Sequence, residues 1–207
     1  MNSIHSLINS LSEIEKKIGY TFINRELLAL AFVHCSYINE HREILEHNER
    51  LEFLGDAVLE LVVTDFLYKK YPSYTEGELT AVRSALVNAV IISSVAEAMG
   101  MNDYLLLSKG ETKDKGKARQ YILANTYEAY IGALYLDQGY DAVDKFLNKN
   151  LLPKTEEIVK KKLWRDAKSL VQEKAQEFVN VTPAYKVLSE SGPDHDKQFN
   201  VGIYFGK

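Results

Sequence analysis

One segment limits the folds open to this chain more than any other. From Leu45 to Lys70 apolar residues recur at helical spacing, with Leu51, Leu54, Val58, Leu61 and Val62 on one stripe. Inside it, HNERLEFLGDAVLEL (His47 to Leu61) sets Glu49, Glu52 and Asp56 at i, i+3 and i+7. At about 100° per residue these acids share an arc of roughly 60° on one helix face. Carboxylates set among Leu51, Phe53, Leu54, Val58 and Leu59 repel one another and resist burial. Either they face solvent, or a hard divalent cation compensates them.

A second segment favours the cation. YILANTYEAYIGALYLD (Tyr121 to Asp137) carries Asn125 and Glu128 at i and i+3 in an equally apolar helix. Its small residues Ala124, Ala129, Gly132 and Ala133 let another helix approach closely. Packing the two helices through them brings Glu52, Asp56, Asn125 and Glu128 together. A cluster of oxygen donors without His or Cys suits magnesium, or manganese in its place, rather than zinc. Magnesium keeps waters and binds phosphates, which points to phosphodiester chemistry with a metal-activated water.

The rest of the chain supplies a helical frame. Short helices are predicted over Ser10–Ile18 and Asn24–Ser36. The long helix stops before Pro72, and Thr75-Glu76-Gly77-Glu78 opens the next with capping-box spacing. Helices follow to about Asn88, over Val90–Met99, over Arg119–Leu136 and over Asp141–Leu151, with Ser108–Lys117 a polar loop. Residues 1–153 form the helical domain and 154–165 a basic linker carrying Lys160, Lys161, Lys162 and Arg165. After it come a helix to Val179 and strands over Tyr185–Glu190 and Gln198–Phe205, around a turn at 191–194.

Composition adds exclusions. In 207 residues, 25 Lys and Arg stand against 29 Asp and Glu, a net charge of −4 that at first disfavours nucleic acid. A whole-chain sum does not see acids that act as cation ligands. The single cysteine, Cys35, excludes an internal disulfide and any cysteine-based zinc site, and leaves no disulfide partner. It reads as an inert buried thiol. No stretch reaches the roughly 18 apolar residues of a membrane span, and the first 20 residues lack a signal-peptide core. A cytoplasmic protein with no membrane partner is the expectation.

NERLEFLGDAVLEL resembles the signature of bacterial ribonuclease III. The resemblance continues collinearly through ALAFVHCSYINE (Ala29 to Glu40), EGELTAVRSALVNA (Glu76 to Ala89), YLLLSKGE (Tyr104 to Glu111) and ILANTYEAYIGALYLDQGY (Ile122 to Tyr140). It implies an all-α endonuclease domain that works as a homodimer on double-stranded RNA. It also implies 5′-phosphate and 3′-hydroxyl ends with short 3′ overhangs, and a part in ribosomal-RNA precursor and other RNA processing. Carried over by position, Glu52, Asp56 and Glu128 are metal-site carboxylates, with Asp56 and Glu128 catalytic. Glu49 and Glu76 are acids of the same valley that handle substrate or metal. Phe53 is the aromatic that plugs a socket on the partner subunit. Where the family usually has Asp, this chain has Asn125. A tolerated natural variant, a substitution that traps a complex, and a weakened enzyme that only binds RNA all stay open.

Residues 166–207 resemble the α-β-β start of a double-stranded-RNA-binding domain, incomplete because the chain stops at Lys207. Ser169, Gln172, Glu173 and Gln176 fall at i, i+3, i+4 and i+7, a face suited to minor-groove 2′-hydroxyls. His195 lies in the loop that the resemblance places in the neighbouring minor groove. The piece carries five lysines against six acids, so the expected basic face is weak. An exposed sheet edge and an unburied apolar face are expected of it.

Overall fold

The computed structural model describes residues 4–113, 115–164, 167–192 and 197–206; for residues 4–6, 167, 169 and 170 it describes the backbone alone. One compact unit runs to Lys161 and a second begins at Lys162.

The first unit is built around one helix. Helix α7 (Lys117–Gln138) is apolar on nearly every side, and Ile122 to Ala124, Thr126, Tyr127 and Ala129 to Leu134 are buried. A helix apolar all round belongs at the centre of a bundle. Around it pack α2 (Arg25–Ala31), α4 (Glu49–Lys70), α6 (Ala89–Ala98) and α8 (Tyr140–Asn150). Helix α1 (Ile4–Ile18) lies against α2, and α5 (Glu76–Leu86) against α4. The rings of Tyr127, Tyr130 and Phe146 meet at the base of the bundle, with centroids 5.1 Å apart for Tyr130 and Phe146.

Local chemistry sets the helix ends. Thr75 and Glu78 form the anticipated capping box: the Thr75 amide donates to Glu78 Oε2 at 2.9 Å and the Glu78 amide to Thr75 Oγ1 at 3.3 Å. The single helix expected over Asn24–Ser36 is instead two, α2 and α3 (Cys35–Ile38). Between them Val33 is held extended in a parallel bridge to Leu106, and the His34 amide donates to the Leu106 carbonyl at 3.1 Å. The Val33 carbonyl accepts from the Asn48 amide at 2.8 Å. This tertiary bridge overrides the local helical pattern. Asn48 is itself buried and donates its side-chain amide to the Ala31 carbonyl at 3.1 Å. That anchor starts α4 at Glu49, four residues later than the apolar pattern suggests.

The basic stretch expected as a linker from residue 154 begins as helix α9 (Lys154–Lys160). Thr155 and Ile158 are buried as it packs on α5, and of the basic run Lys160 closes the helix while Lys161 and Lys162 follow it. Among the described residues no single helix is long and apolar enough to cross a membrane.

The second unit consists of α10 (Ala167–Val179) and an antiparallel pair, β1 (Ala184–Ser191) and β2 (Gln198–Tyr204). Tyr185 ties helix to sheet: its hydroxyl donates to the Lys168 carbonyl at 3.3 Å, and Lys168 Nζ sits 5.0 Å from its ring centre. The register runs Val187↔Val201 and then Ser189↔Asn200, leaving Leu188 unpaired in a bulge. Val187, Leu188, Phe199, Val201 and Ile203 are exposed, as the unburied apolar face expected of this piece.

Candidate active site

Two glycines bring α4 and α7 into backbone contact. A Cβ at Gly55 would collide with the Glu128 carbonyl group, and one at Gly132 with the Leu51 carbonyl oxygen. Glycine within a helix costs about 1 kcal/mol relative to alanine, so its use at both positions reflects close approach. The crossing sets Glu52 and Asp56 on α4 against Asn125 and Glu128 on α7.

The electrostatics link these side chains in pairs, Glu128 with Asp56 and Glu52, and Glu52 with Asp56 and Asn125. Burial pushes the Glu128 carboxyl up from an ordinary 4.5 to about 7, and the charges of Asp56 and Glu52 push it further the same way. All three influences have one sign. Glu52 is raised by burial and by the charges of Glu49 and Asp56, while the polar amide of Asn125 acts in the opposite direction. Asp56 is exposed, and Glu52, Asn125 and Glu128 are half-buried. The helix spacing that pairs the acids in sequence therefore pairs them in space. Among the described residues no group of three or more His, Cys, Asp and Glu is drawn up to coordination distance, so the cluster is open. Its donor set still fits a hard cation: three carboxylates and an amide oxygen, with negative charge that nothing acting on Glu128 offsets.

Glu49 stands at the lip of the cluster. It is exposed, it acts on Glu52, and its Oε2 lies 3.8 Å from His47 Nδ1. Two neighbours were not singled out from sequence as site residues, His34 and His47. His34 is half-buried and held below its usual range by burial, and it feels the charges of Glu49 and Glu111. Its Nδ1 accepts from the Ser36 amide at 3.2 Å and so caps α3. The one available signal was that each histidine falls just before the start of a helix, His34 before α3 and His47 before α4. Cys35 is half-buried rather than fully buried, with Sγ 3.8 Å from His34 Nε2. Burial and the Glu49 carboxylate hold its thiol up, which keeps it unreactive.

Glu76 lies apart from this group in the described contacts. It opens α5, is exposed, and accepts from the Thr80 hydroxyl at 3.1 Å. It lines a separate groove with Thr64, Tyr68, Tyr74 and Arg83. Phe53 points away from the bundle and is 82% exposed. It borders a groove of about 890 Å³ with Leu27, Leu30, Leu45, Leu51 and Leu136. In the second unit Gln172, Glu173 and Gln176 are exposed on one side of α10 and line a shallow groove with Thr182. Ser169 lies in α10 with its side chain outside the described atoms, and His195 lies outside the described residues.

Comparison with known proteins agrees on one family. A family profile described as Ribonuclease-III-like matches residues 24–155. The chain is 47% identical over 204 residues to a protein named Ribonuclease 3 from Protochlamydia amoebophila (strain UWE25), covering 99% of this chain and 84% of that one. It is 48% identical over 188 residues to Ribonuclease 3 of Geobacillus kaustophilus (strain HTA426), covering 90% and 76%. Among solved structures, the nuclease domain of ribonuclease III from Campylobacter jejuni superposes with a TM-score of 0.62 at 35% identity, over 67% of this chain and 94% of that one. That structure is described as showing flexibility in a region involved in dimer formation. Dicer from Pichia stipitis superposes with a TM-score of 0.51 at 28% identity, over 87% and 81%.

Proposed function

The chain belongs to the ribonuclease III family and is an endoribonuclease, and on that premise we propose that it hydrolyses double-stranded RNA with magnesium held at the α4–α7 crossing. The carrying observation is the convergence of Glu52, Asp56, Asn125 and Glu128, with Glu128 raised to about 7 by burial and its neighbours' charges. Manganese substitutes for magnesium in such an oxygen-donor set.

The chain's own residues have separable tasks. Asp56 and Glu128 are the catalytic pair. Glu52 and Asn125 complete the ligand set. Glu128 must release its proton before it can ligate, so cation binding and pH are linked at this carboxylate. A bound divalent cation supplies the Lewis acidity and water activation that phosphodiester hydrolysis requires. Glu49 at the lip and Glu76 at the head of α5 extend the acidic valley and steer substrate. The products carry 5′-phosphates and 3′-hydroxyls with short 3′ overhangs, and ribosomal-RNA precursors are the expected cellular substrates, cut in the cytoplasm.

We assign the nuclease to residues 1–153 and duplex-RNA binding to 166–207, through Ser169, Gln172, Glu173, Gln176 and His195. The enzyme acts as a homodimer, with Phe53 entering a groove on its partner. An aromatic 82% exposed beside an apolar groove supports this, since large exposed apolar surface marks interaction sites.

Cleavage of a long RNA duplex with and without magnesium tests the proposal, with cutting expected only when magnesium is present. Asn125 favours one other reading, a duplex-RNA-binding protein with weakened catalysis. Protein that binds duplex RNA yet cuts nothing in excess magnesium or manganese would establish that reading and remove the first.

A further inference from the structure

A groove of about 440 Å³ lies between α4 and α5, within the roughly 300–1,000 Å³ range of ligand pockets. Its polar groups sit on one face of each helix. Thr64 and Tyr68 are four residues apart on α4, and Glu76, Thr80 and Arg83 fall at i, i+4 and i+7 on α5. Tyr68 is 72% exposed. Tyr74 is braced by its neighbour Tyr71, the ring centres 5.0 Å apart and the planes at 30°. The Thr80 hydroxyl donates to Glu76 Oε1 at 3.1 Å and so orients that carboxylate. Arg83 is already engaged: its Nη1 donates to Thr64 Oγ1 at 2.9 Å and lies 3.9 Å from Glu60 Oε2.

These groups select their guest. Glu60 and Glu76 outweigh the charge of Arg83, so the groove does not suit a phosphate. A tyrosine ring stacks on the face of any nucleobase. An ionised carboxylate accepts hydrogen bonds and gives none, and after the bond from Thr80 both Glu76 oxygens keep lone pairs. Guanine alone among the RNA bases carries two adjacent N–H donors on its pairing edge, N1–H and N2–H, which match two carboxylate oxygens. Adenine sets an acceptor beside its amine there and repels one of them. Base pairing hides this edge inside a duplex, so only an unpaired guanine presents it. We propose that the α4–α5 groove is a guanine site, in which the base stacks on Tyr68 and Glu76 accepts from N1–H and N2–H. The proposal rests on the RNA-substrate reading above and adds readout of a base where the duplex is read by shape. The guanine comes either on an RNA strand or as a free nucleotide.

The test is binding of fluorescein-labelled single-stranded RNA pentamers, UUGUU and UUAUU, to the full chain in chelator, read as fluorescence anisotropy. Wild type is expected to bind UUGUU about tenfold more tightly than UUAUU. Glu76→Gln is expected to bring the two within about twofold of each other, because an amide keeps a single acceptor oxygen. Tyr68→Ala is expected to weaken UUGUU about tenfold. Both side chains are exposed, so both variants are expected to melt as wild type does. Guanosine monophosphate is the competitor that separates the two sources. Displacement of UUGUU at matching concentrations assigns the site to the free nucleotide, and a need for about tenfold more assigns it to the strand; both keep the guanine site. Equal wild-type affinity for the two pentamers, a preference that survives Glu76→Gln, or UUGUU binding that Tyr68→Ala leaves unchanged overturns the proposal. Cleavage of a long duplex in magnesium is scored separately. A wild type that cuts without preferring guanine loses this site alone, and one that prefers guanine without cutting keeps the site and loses the catalytic reading.

Discussion

Replacing Glu128 with Gln removes a charge from the α4–α7 crossing and leaves its shape intact. The carboxyl is raised from 4.5 to about 7 in the folded chain. Below about 4.5 it is protonated in both the folded and unfolded chain and costs nothing. Between about 4.5 and 7 the unfolded chain gives up this proton while the folded chain keeps it. Stability therefore falls as pH rises through that window and levels off above it. At about 1.36 kcal/mol for each tenfold change in proton affinity, the full cost is about 3.4 kcal/mol. Solvent screening at this half-buried position reduces it to about 1.5–2 kcal/mol. Gln imitates the protonated acid, so Glu128→Gln and wild type should melt alike near pH 4.5 in chelator. Near pH 8 the variant should melt about 3–8 °C higher. Scanning calorimetry of both proteins across that range reads the difference directly. Magnesium should then stabilise wild type and leave the variant unmoved. Cleavage should fall about 100-fold or more in the variant, since loss of an outer-shell partner alone costs about 10–100-fold. A stability difference that does not change with pH, or a wild type more stable than the variant at pH 8, would refute the reasoning.

Three further outcomes are expected. Gly55→Ala drives a Cβ into the Glu128 carbonyl, so it should cost about 3 kcal/mol or more in urea unfolding and abolish cleavage with it. Tyr127 is fully buried and its hydroxyl has no hydrogen-bond partner among the described residues; Tyr127→Phe should be neutral or stabilise by up to about 1 kcal/mol, read as an unchanged or higher melting temperature. Phe53→Ala should weaken dimerisation by about 2–4 kcal/mol, seen in sedimentation as monomer at concentrations where wild type is dimeric.

The site was legible because helical spacing and side-chain size are local properties. Glu52 and Asp56 share a face by their interval alone, and Gly132 and Ala133 announce that α7 accepts a close neighbour. The capping box at Thr75 and Glu78 was readable for the same reason, since both halves lie within one turn. What stayed hidden depends on partners distant in sequence. The break in the helix after Ala31 comes from Leu106 holding Val33 extended and from Asn48 reaching back to the Ala31 carbonyl, and no window around residue 32 contains either. The start of α4 at Glu49 follows from that same anchor. Helix α9 was obscured by its lysines, because only its packing on α5 reveals that Thr155 and Ile158 turn inward.

The same distinction resolves the conflict between a net charge of −4 and an RNA substrate. A sum over the chain weighs every acid equally, whereas the crossing gathers three of them, and burial there makes ionisation costly for Glu52 and Glu128. In the proposed metal-bound enzyme a divalent cation there would offset two of the three negative charges and offer an open position to a phosphate oxygen. The acids that argue against nucleic acid by count therefore argue for it by position. The amide of Asn125 fits this logic, because it adds no charge that must be compensated. The crossing is held by two glycines at a cost to helix propensity, and it strains the protonation of Glu128. Both are concessions of stability concentrated where the chemistry is, which is where a sequence that otherwise obeys helical rules is expected to break them.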